Sequence, residues 1–352
     1  MYKVRIAFPR RAALLLLVLS LLLLTGCSDD DNGVNPPATS SETEIIAGAA
    51  DDWLSSGSAP VMLSSTLYTT LNDGIPSNDP FILDIRSASD YAAGHIPGAV
   101  NVAYREVAKS SNASVYPTDR KIVVVCYTGH TASQVTAWLG AMGYDATCLK
   151  FGMSSWTLDT VYNPSVLTNR PFDVDVDCGD YPVSTSPATA GSYTPPTVEN
   201  TSSNDEQTII RTAADVYLSS GASPVITSAN VYLNLNDGNS ANDPVLLDIR
   251  GAADYAAGHV AGAINVPFRE VAKDANLAKL DPGKQIVVIC YTGHTASQAT
   301  MLLNMLGYNA AAMKFGMTSW TVDPAKNPSI TTNRYYDPDQ DCGNYPCESN
   351  PI

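Results

Sequence analysis

Cys126 opens the octet Cys126-Tyr127-Thr128-Gly129-His130-Thr131-Ala132-Ser133, and the same eight residues return unchanged from Cys290. A short apolar run precedes each cysteine: Ile122-Val123-Val124-Val125 in one case, Ile286-Val287-Val288-Ile289 in the other. A thiol at the carboxyl end of a buried strand sits where open α/β sheets place their ligands. A short turn into a helix can then aim several backbone N–H groups, and the helix's positive end, into one concavity. Such a nest is expected to stabilise a thiolate, lower the cysteine pKa and hold an anion beside it. Gly129 and Gly293 supply the backbone freedom that closes the loop. The plainer reading is a buried structural cysteine at a strand end. Against it, the octet is invariant while its neighbours diverge, Gln134-Val135-Thr136 against Gln298-Ala299-Thr300.

The elements that must hold these loops are also written twice. An offset of 164 residues (290 − 126) relates Asp84-Ile85-Arg86 to Asp248-Ile249-Arg250, Gly94-His95 to Gly258-His259, and Trp156 to Trp320. Because the offset never changes, the copies differ by substitution and not by insertion, and each is domain-sized. Residues 183–206 are rich in Ser, Thr and Pro and read as a flexible linker. Within a copy, continuous apolar runs such as Phe81-Ile82-Leu83 predict strands buried on both faces. After the octet, Val135, Trp138, Leu139 and Met142 fall on one helical stripe that ends at Gly143. The expected fold class is α/β: two tandem domains, each a small, mainly parallel sheet with helices on both faces.

Composition bounds what the chain can touch. Twenty basic residues face 35 acidic ones, a formal charge of −15, and no basic patch offsets it, which excludes nucleic acid as a partner. Four of the cations (Lys3, Arg5, Arg10, Arg11) precede the apolar run Ala12 to Leu24, which Thr25-Gly26-Cys27 follows. That order describes a bacterial export signal, and the run is too short for a comfortable membrane span. The ending resembles a lipobox, which implies cleavage before an acylated Cys27 and a lipid bilayer as partner. By lipoprotein sorting rules Ser28 favours the outer membrane, with the membrane face left open. The expected domains are a signal peptide over 1–27, a tether over 28–44, globular domains over 45–182 and 207–346 on either side of the linker, and a tail over 347–352.

Each copy resembles a rhodanese-like sulfurtransferase domain. The motifs are Asp84-Ile85-Arg86, then Gly94-His95-Ile96-Pro97-Gly98-Ala99-Val100-Asn101, the cysteine loop, and Trp156 after Lys150-Phe151-Gly152-Met153; copy two repeats them in the same order. The resemblance implies that Cys126 and Cys290 are catalytic and carry sulfane sulfur as a persulfide. It implies a small sulfur-containing anion such as thiosulfate as donor and a thiol or cyanide as acceptor, with no cofactor and no metal. The substrate-binding loops are then Tyr127, Thr128, Gly129, His130 and Thr131, and Tyr291, Thr292, Gly293, His294 and Thr295. Many members carry Arg where this chain has Thr131 and Thr295. His130 and His294 are expected either to substitute in part, by charge or by a donated hydrogen bond, or to stand at a solvent-facing rim. Tandem members often keep one catalytic cysteine; this chain keeps both. An alternative is a non-catalytic or sulfur/selenium-carrier module docked on an envelope protein. A cysteine-loop phosphatase is disfavoured, because the sixth residue after Cys126 is Ala132 and not Arg.

The remaining repeated residues read as framework. Asp84/Arg86 and Asp248/Arg250 are expected to form ion pairs, His95 and His259 to bond backbone, and Trp156 and Trp320 to fill cores. Lys150 and Lys314 read as surface lysines at the pocket's edge. Asp173, Asp175 and Asp177 only superficially resemble a calcium loop. Of seven cysteines, Cys148, Cys178, Cys342 and Cys347 remain, and three pairings are open to them. Cys148 has Ala312 as its counterpart and Cys347 has Val183, an exchange that favours Cys148–Cys178 and Cys342–Cys347.

Overall fold

The structure, a computed structural model, describes residues 40–57 and 60–350; the expected export signal, Cys27 and most of the expected tether lie outside the described residues. The first copy runs α1 (Glu42–Ser55), β1 (Val61–Met62), α2 (Ser64–Leu71), β2 (Phe81–Asp84), α3 (Ala88–Ala93), β3 (Val100–Asn101), β4 (Ile122–Val125), α4 (His130–Ala141), β5 (Ala146–Leu149), α5 (Met153–Trp156) and α6 (Val174–Asp177). The second runs α7 (Glu206–Ser219), β6 (Val225–Ile226), α8 (Ser228–Leu235), β7 (Val245–Asp248), α9 (Ala252–Ala257), β8 (Ile264–Asn265), α10 (Asp274–Leu277), β9 (Gln285–Ile289), α11 (His294–Met305), β10 (Asn309–Met313), α12 (Met317–Trp320) and α13 (Pro338–Asp341). Each copy forms a five-stranded parallel sheet, ordered β1-β5-β4-β2-β3 and β6-β10-β9-β7-β8. The two domains are therefore tandem α/β units, as the alternating apolar runs predict. The central strand of each sheet, β4 or β9, is the one that ends at the cysteine.

The two copies do not hang separately on a flexible linker. Helices α4 and α11 pack on each other, and one hydrophobic core runs from Ile46, Leu54 and Trp138 through Ile209 and Leu218 to Leu302. This is why α4 is buried along nearly its whole length and not only on its predicted stripe: its outer face meets the other copy. The interface is reciprocal. Arg105 donates to the carbonyls of Leu218 (2.8 Å) and Ala222 (2.7 Å), while Arg269 donates to that of Leu54 (2.7 Å). Gln134 reaches the Pro224 carbonyl and Gln298 that of Pro60.

The predicted linker is seated against both copies. The amides of Asn200 and Thr201 donate to the buried Glu42 carboxylate, the Tyr193 amide bonds the Ala278 carbonyl, and Val198 is buried in the shared core. The tail of each copy also crosses over. The Tyr181 amide bonds the Trp320 carbonyl and the Trp320 indole donates to Pro182, while the Tyr345 amide bonds Trp156 and the Trp156 indole donates to Pro346, both indole bonds at 2.9 Å. A polar composition predicts solvation, but a chain with few side chains to bury can still be held through its backbone groups.

Candidate functional site

The loop after β4 turns at Gly129, whose φ of 90° is in the left-handed region, and enters α4 at His130. That turn brings the Gly129 N–H onto the Cys126 sulfur at 3.1 Å, and Gly293, at φ 89°, does the same for Cys290 at 3.1 Å. Around Cys290 the Thr295 hydroxyl and the amides of Ala296, Gly293 and Thr292 also favour the thiolate. The predicted concavity of donors is thus present. Its effect on the thiol is not the expected one. Cys290 is 1% exposed and Cys126 2%; burial pushes the Cys290 thiol up and outweighs those hydrogen bonds.

The rest of the loop is braced from three sides. The Tyr127 hydroxyl donates to Asp90 at 2.6 Å and accepts from the Ser87 amide, and Tyr291 does likewise with Asp254 and Gly251. Burial works against the Asp90 charge, but hydrogen bonds from Ser165, Ser87 and Tyr127 hold its carboxyl below the usual range. From behind, the Met153 amide donates to the Cys126 carbonyl at 2.8 Å and that of Ser154 to Tyr127 at 3.2 Å. A side chain at Gly152 would collide with the Cys126 carbonyl oxygen, so the glycine permits this close approach. The residue before it, Phe151, has φ 62°, and Phe315 φ 63°, an uncommon conformation outside glycine. Asp90 and Asp254 belong to none of the motifs in the sequence, and Phe151 and Phe315 only flank one; recurrence at the constant offset is the signal that points to all four.

The third brace comes from the other copy. His130 and His294 are 4% and 3% exposed and stack with ring centroids 5.6 Å apart. His130 Nε2 accepts the Phe315 N–H, and His294 Nε2 accepts the Phe151 N–H, both at 3.1 Å. Because Nε2 accepts, each neutral ring carries its proton on Nδ1, which faces Thr128 or Thr292 at 3.0 and 3.1 Å. Burial, then the partner imidazole and Lys314, push His130 well below its ordinary pKa; burial, then Lys150, push His294 down to about 3. The histidines are not rim residues, and as neutral rings they do not supply positive charge in place of the missing arginine; of the expected roles, a donated hydrogen bond is the one left, here from Nδ1 toward Thr128 or Thr292.

A pH dependence follows. These imidazoles bind protons more readily in the unfolded chain, so their contribution to stability is complete above about pH 6.5 and is lost as pH falls toward 3. For His294 alone the loss should reach about 2 kcal/mol by pH 5. Urea unfolding at pH 7 and pH 5 should show this drop, and it should be smaller in His130→Gln/His294→Gln. Equal pH sensitivity in the two proteins would refute the account.

The other expectations sort as follows. Asp84 and Arg86 pair at 2.7 Å with side chains essentially unexposed, as do Asp248 and Arg250. His95 Nδ1 and His259 Nδ1 bond the Tyr91 and Tyr255 carbonyls at 2.8 Å, and Trp156 and Trp320 are core. Lys150 and Lys314 are half-buried, each ammonium 4.7 Å from the ring centroid of the following phenylalanine, and burial lowers their pKa. Asp177 takes both terminal nitrogens of Arg170, and Asp173 caps α6. Among the described residues no group of His, Cys, Asp and Glu could hold a metal. All six described cysteines are free, so the favoured Cys148–Cys178 and Cys342–Cys347 pairings are not formed. Cys148 is sealed inside β5 beside Ser133, and the segment after Cys178 docks on the second copy. A cavity of about 450 Å³ between the copies, bordered by Leu158, Phe172 and Tyr336, reaches neither octet cysteine.

A family model described as the rhodanese-like domain matches residues 67–159 and 228–323. Thiosulfate sulfurtransferase PspE of Escherichia coli is 35% identical over 72 residues, which are 19% of this chain and 69% of that protein. Adenylyltransferase and sulfurtransferase UBA4 of Meyerozyma guilliermondii is 31% identical over 111 residues, 29% of this chain and 26% of that protein. The chain thus spans about a quarter of that relative's length. The solved thiosulfate sulfurtransferase from Pseudomonas aeruginosa is 14% identical, with 82% of this chain and 47% of that one covered at a TM-score of 0.28.

Proposed function

This chain belongs to the rhodanese-like family, and from that premise we propose that it is a sulfurtransferase with two persulfide-forming cysteines, Cys126 and Cys290. The matched domains and the thiosulfate sulfurtransferase relatives support a sulfurtransferase-type function. The observation that carries the finer reading is the identical pair of loops, each aiming a glycine N–H at its cysteine sulfur from 3.1 Å. In the first half-reaction the thiolate attacks the sulfane sulfur of a donor such as thiosulfate. The donor's S–S bond breaks, its electron pair leaves with sulfite, and the cysteine becomes a persulfide. In the second, an acceptor thiolate or cyanide attacks the outer sulfur and the cysteine thiolate departs. The loop amides stabilise negative charge on sulfur in both halves. The substrate-binding role of Tyr127, Thr128 and Thr131, and of their counterparts Tyr291, Thr292 and Thr295, belongs to this proposal.

Incubation with thiosulfate followed by intact-peptide mass spectrometry should add one sulfur at Cys126 and one at Cys290. Two unmodified cysteines after exposure to a panel of sulfane donors would end the proposal. A carrier module is the second reading, favoured by the near-complete burial of both cysteines. It would load sulfur once and turn over poorly with thiol acceptors.

The proposal extends to location: a protein attached to the cell envelope, at the outer membrane, through acylated Cys27. The basic, apolar and small-residue order of 1–27 supports it. Cys27→Ser should release the protein from membranes or leave the precursor unprocessed. Unchanged membrane partitioning with an unmodified mature N-terminus would refute the anchor.

A further inference from the structure

We infer that each cysteine loop is completed by the other domain's histidine: His294 is a positioning residue for Cys126 and His130 for Cys290. The inference rests on the sulfurtransferase reading for its activity readout, and on the geometry alone for the rest. His294 meets the Cys126 loop at one point and the segment behind it at another. It accepts the buried Phe151 N–H at 3.1 Å, and its Nε2 would lie 2.5 Å from a Cβ placed on Gly129. Those contacts lead directly to the thiol. Gly129 supplies the N–H on the Cys126 sulfur, and Phe151 precedes the segment whose amides hold the Cys126 and Tyr127 carbonyls. Phe151 itself stands in the left-handed region, a conformation held only where its surroundings over-determine it. Without His294 the Phe151 N–H would be a buried donor with no acceptor, and the backing segment would be free to shift.

The second copy repeats every contact. His130 accepts from Phe315, its Nε2 would lie 2.5 Å from a Cβ on Gly293, and the Met317 amide bonds the Cys290 carbonyl at 2.8 Å. Each histidine is also the first residue of the helix that follows its own cysteine loop. Each histidine therefore links the helix after its own loop to the segment behind the opposite cysteine. One rhodanese-like domain cut from this chain lacks a part that the other provides, and the pairing of the copies is part of the chemistry.

The two imidazole nitrogens allow a clean test in the full chain. His294→Asn keeps a polar group near the Nδ1 position, facing Thr292 in its own loop, but does not reach Phe151. His294→Gln places an acceptor near the Nε2 position and gives up the Thr292 contact. Sulfur loading from thiosulfate is followed separately on the Cys126 and Cys290 peptides, whose flanking residues distinguish them. Hydrogen exchange is followed on the segment containing Phe151. His294→Asn should slow loading at Cys126 by about tenfold, the effect of losing a buried hydrogen bond, and speed exchange at Phe151. It should change Cys290 much less. His294→Gln should restore most of the Cys126 rate and the protection of Phe151. Slowed loading at Cys290 with Cys126 and Phe151 unchanged would overturn the inference, as would a glutamine variant no better than asparagine at Cys126. If the parent chain loads no sulfur at all, the sulfurtransferase reading fails by itself. The exchange at Phe151 then still decides whether His294 positions the opposite loop.

Discussion

Replacing both Cys126 and Cys290 by serine should reduce sulfur transfer by roughly 10³-fold or more, the scale of losing a covalent nucleophile. A serine hydroxyl fits the space but does not ionise near neutral pH, and it forms no persulfide. Each single variant should keep a sizeable share of the activity, because the octets are identical and Gly129 and Gly293 address their sulfurs at the same 3.1 Å. Serine leaves His130 and His294 in place, so the remaining loop keeps its cross-domain support. Steady-state transfer from thiosulfate to a thiol acceptor is the measurement. A double variant that retains parent activity would remove both cysteines from the mechanism. A single variant that loses everything would show that the sites act in series or that one of them is inert.

Asp84→Ala should destabilise the protein by about 3–5 kcal/mol, because it leaves a buried guanidinium without the carboxylate paired to it. Arg86 is wholly unexposed; it donates to both oxygens of Asp84 and to the Gly94 carbonyl, and its third terminal group, Nη1, already has no partner. Once Asp84 is gone, the Gly94 carbonyl is the hydrogen-bond partner that remains, and Asp90 acts on Arg86 only through space. The loss should not stay within the first domain. The core is continuous across α4 and α11, and each tail bonds the opposite copy, so the two copies should unfold in one transition. Urea unfolding followed by tryptophan fluorescence and by circular dichroism should give coincident curves, moved together to lower urea. Two resolved transitions, only one of them shifted, would contradict the fused core.

Much of this was legible in the residues. Parallel strands buried on both faces must be written as continuous apolar runs, so Ile122-Val123-Val124-Val125 identifies a central strand without further information. The cysteine at its end and the glycine three residues later define a local turn, and local turns are set by backbone sterics that sequence encodes directly. The constant offset gave the duplication. The framework pair Asp84 and Arg86 was readable for the same reason: a carboxylate and a guanidinium two residues apart at a strand end need no distant partner to meet.

What the sequence could not show is what faces what across the interface. A histidine in a turn reads the same whether it meets water or another domain, and burial decides between a charged rim group and a neutral acceptor. The thiol's environment likewise depends on a burial that the loop by itself does not reveal, so a lowered pKa was the natural expectation from the loop alone. The linker is the third case. Its Ser, Thr and Pro promise no hydrophobic pull, yet Glu42 and the Ala278 carbonyl hold it through backbone groups that every sequence possesses. The residues alone determined two rhodanese-like folds with a cysteine at the end of each central strand. The tertiary structure decided that the two are one body, because the groups that join them are unremarkable until a partner stands within hydrogen-bonding distance.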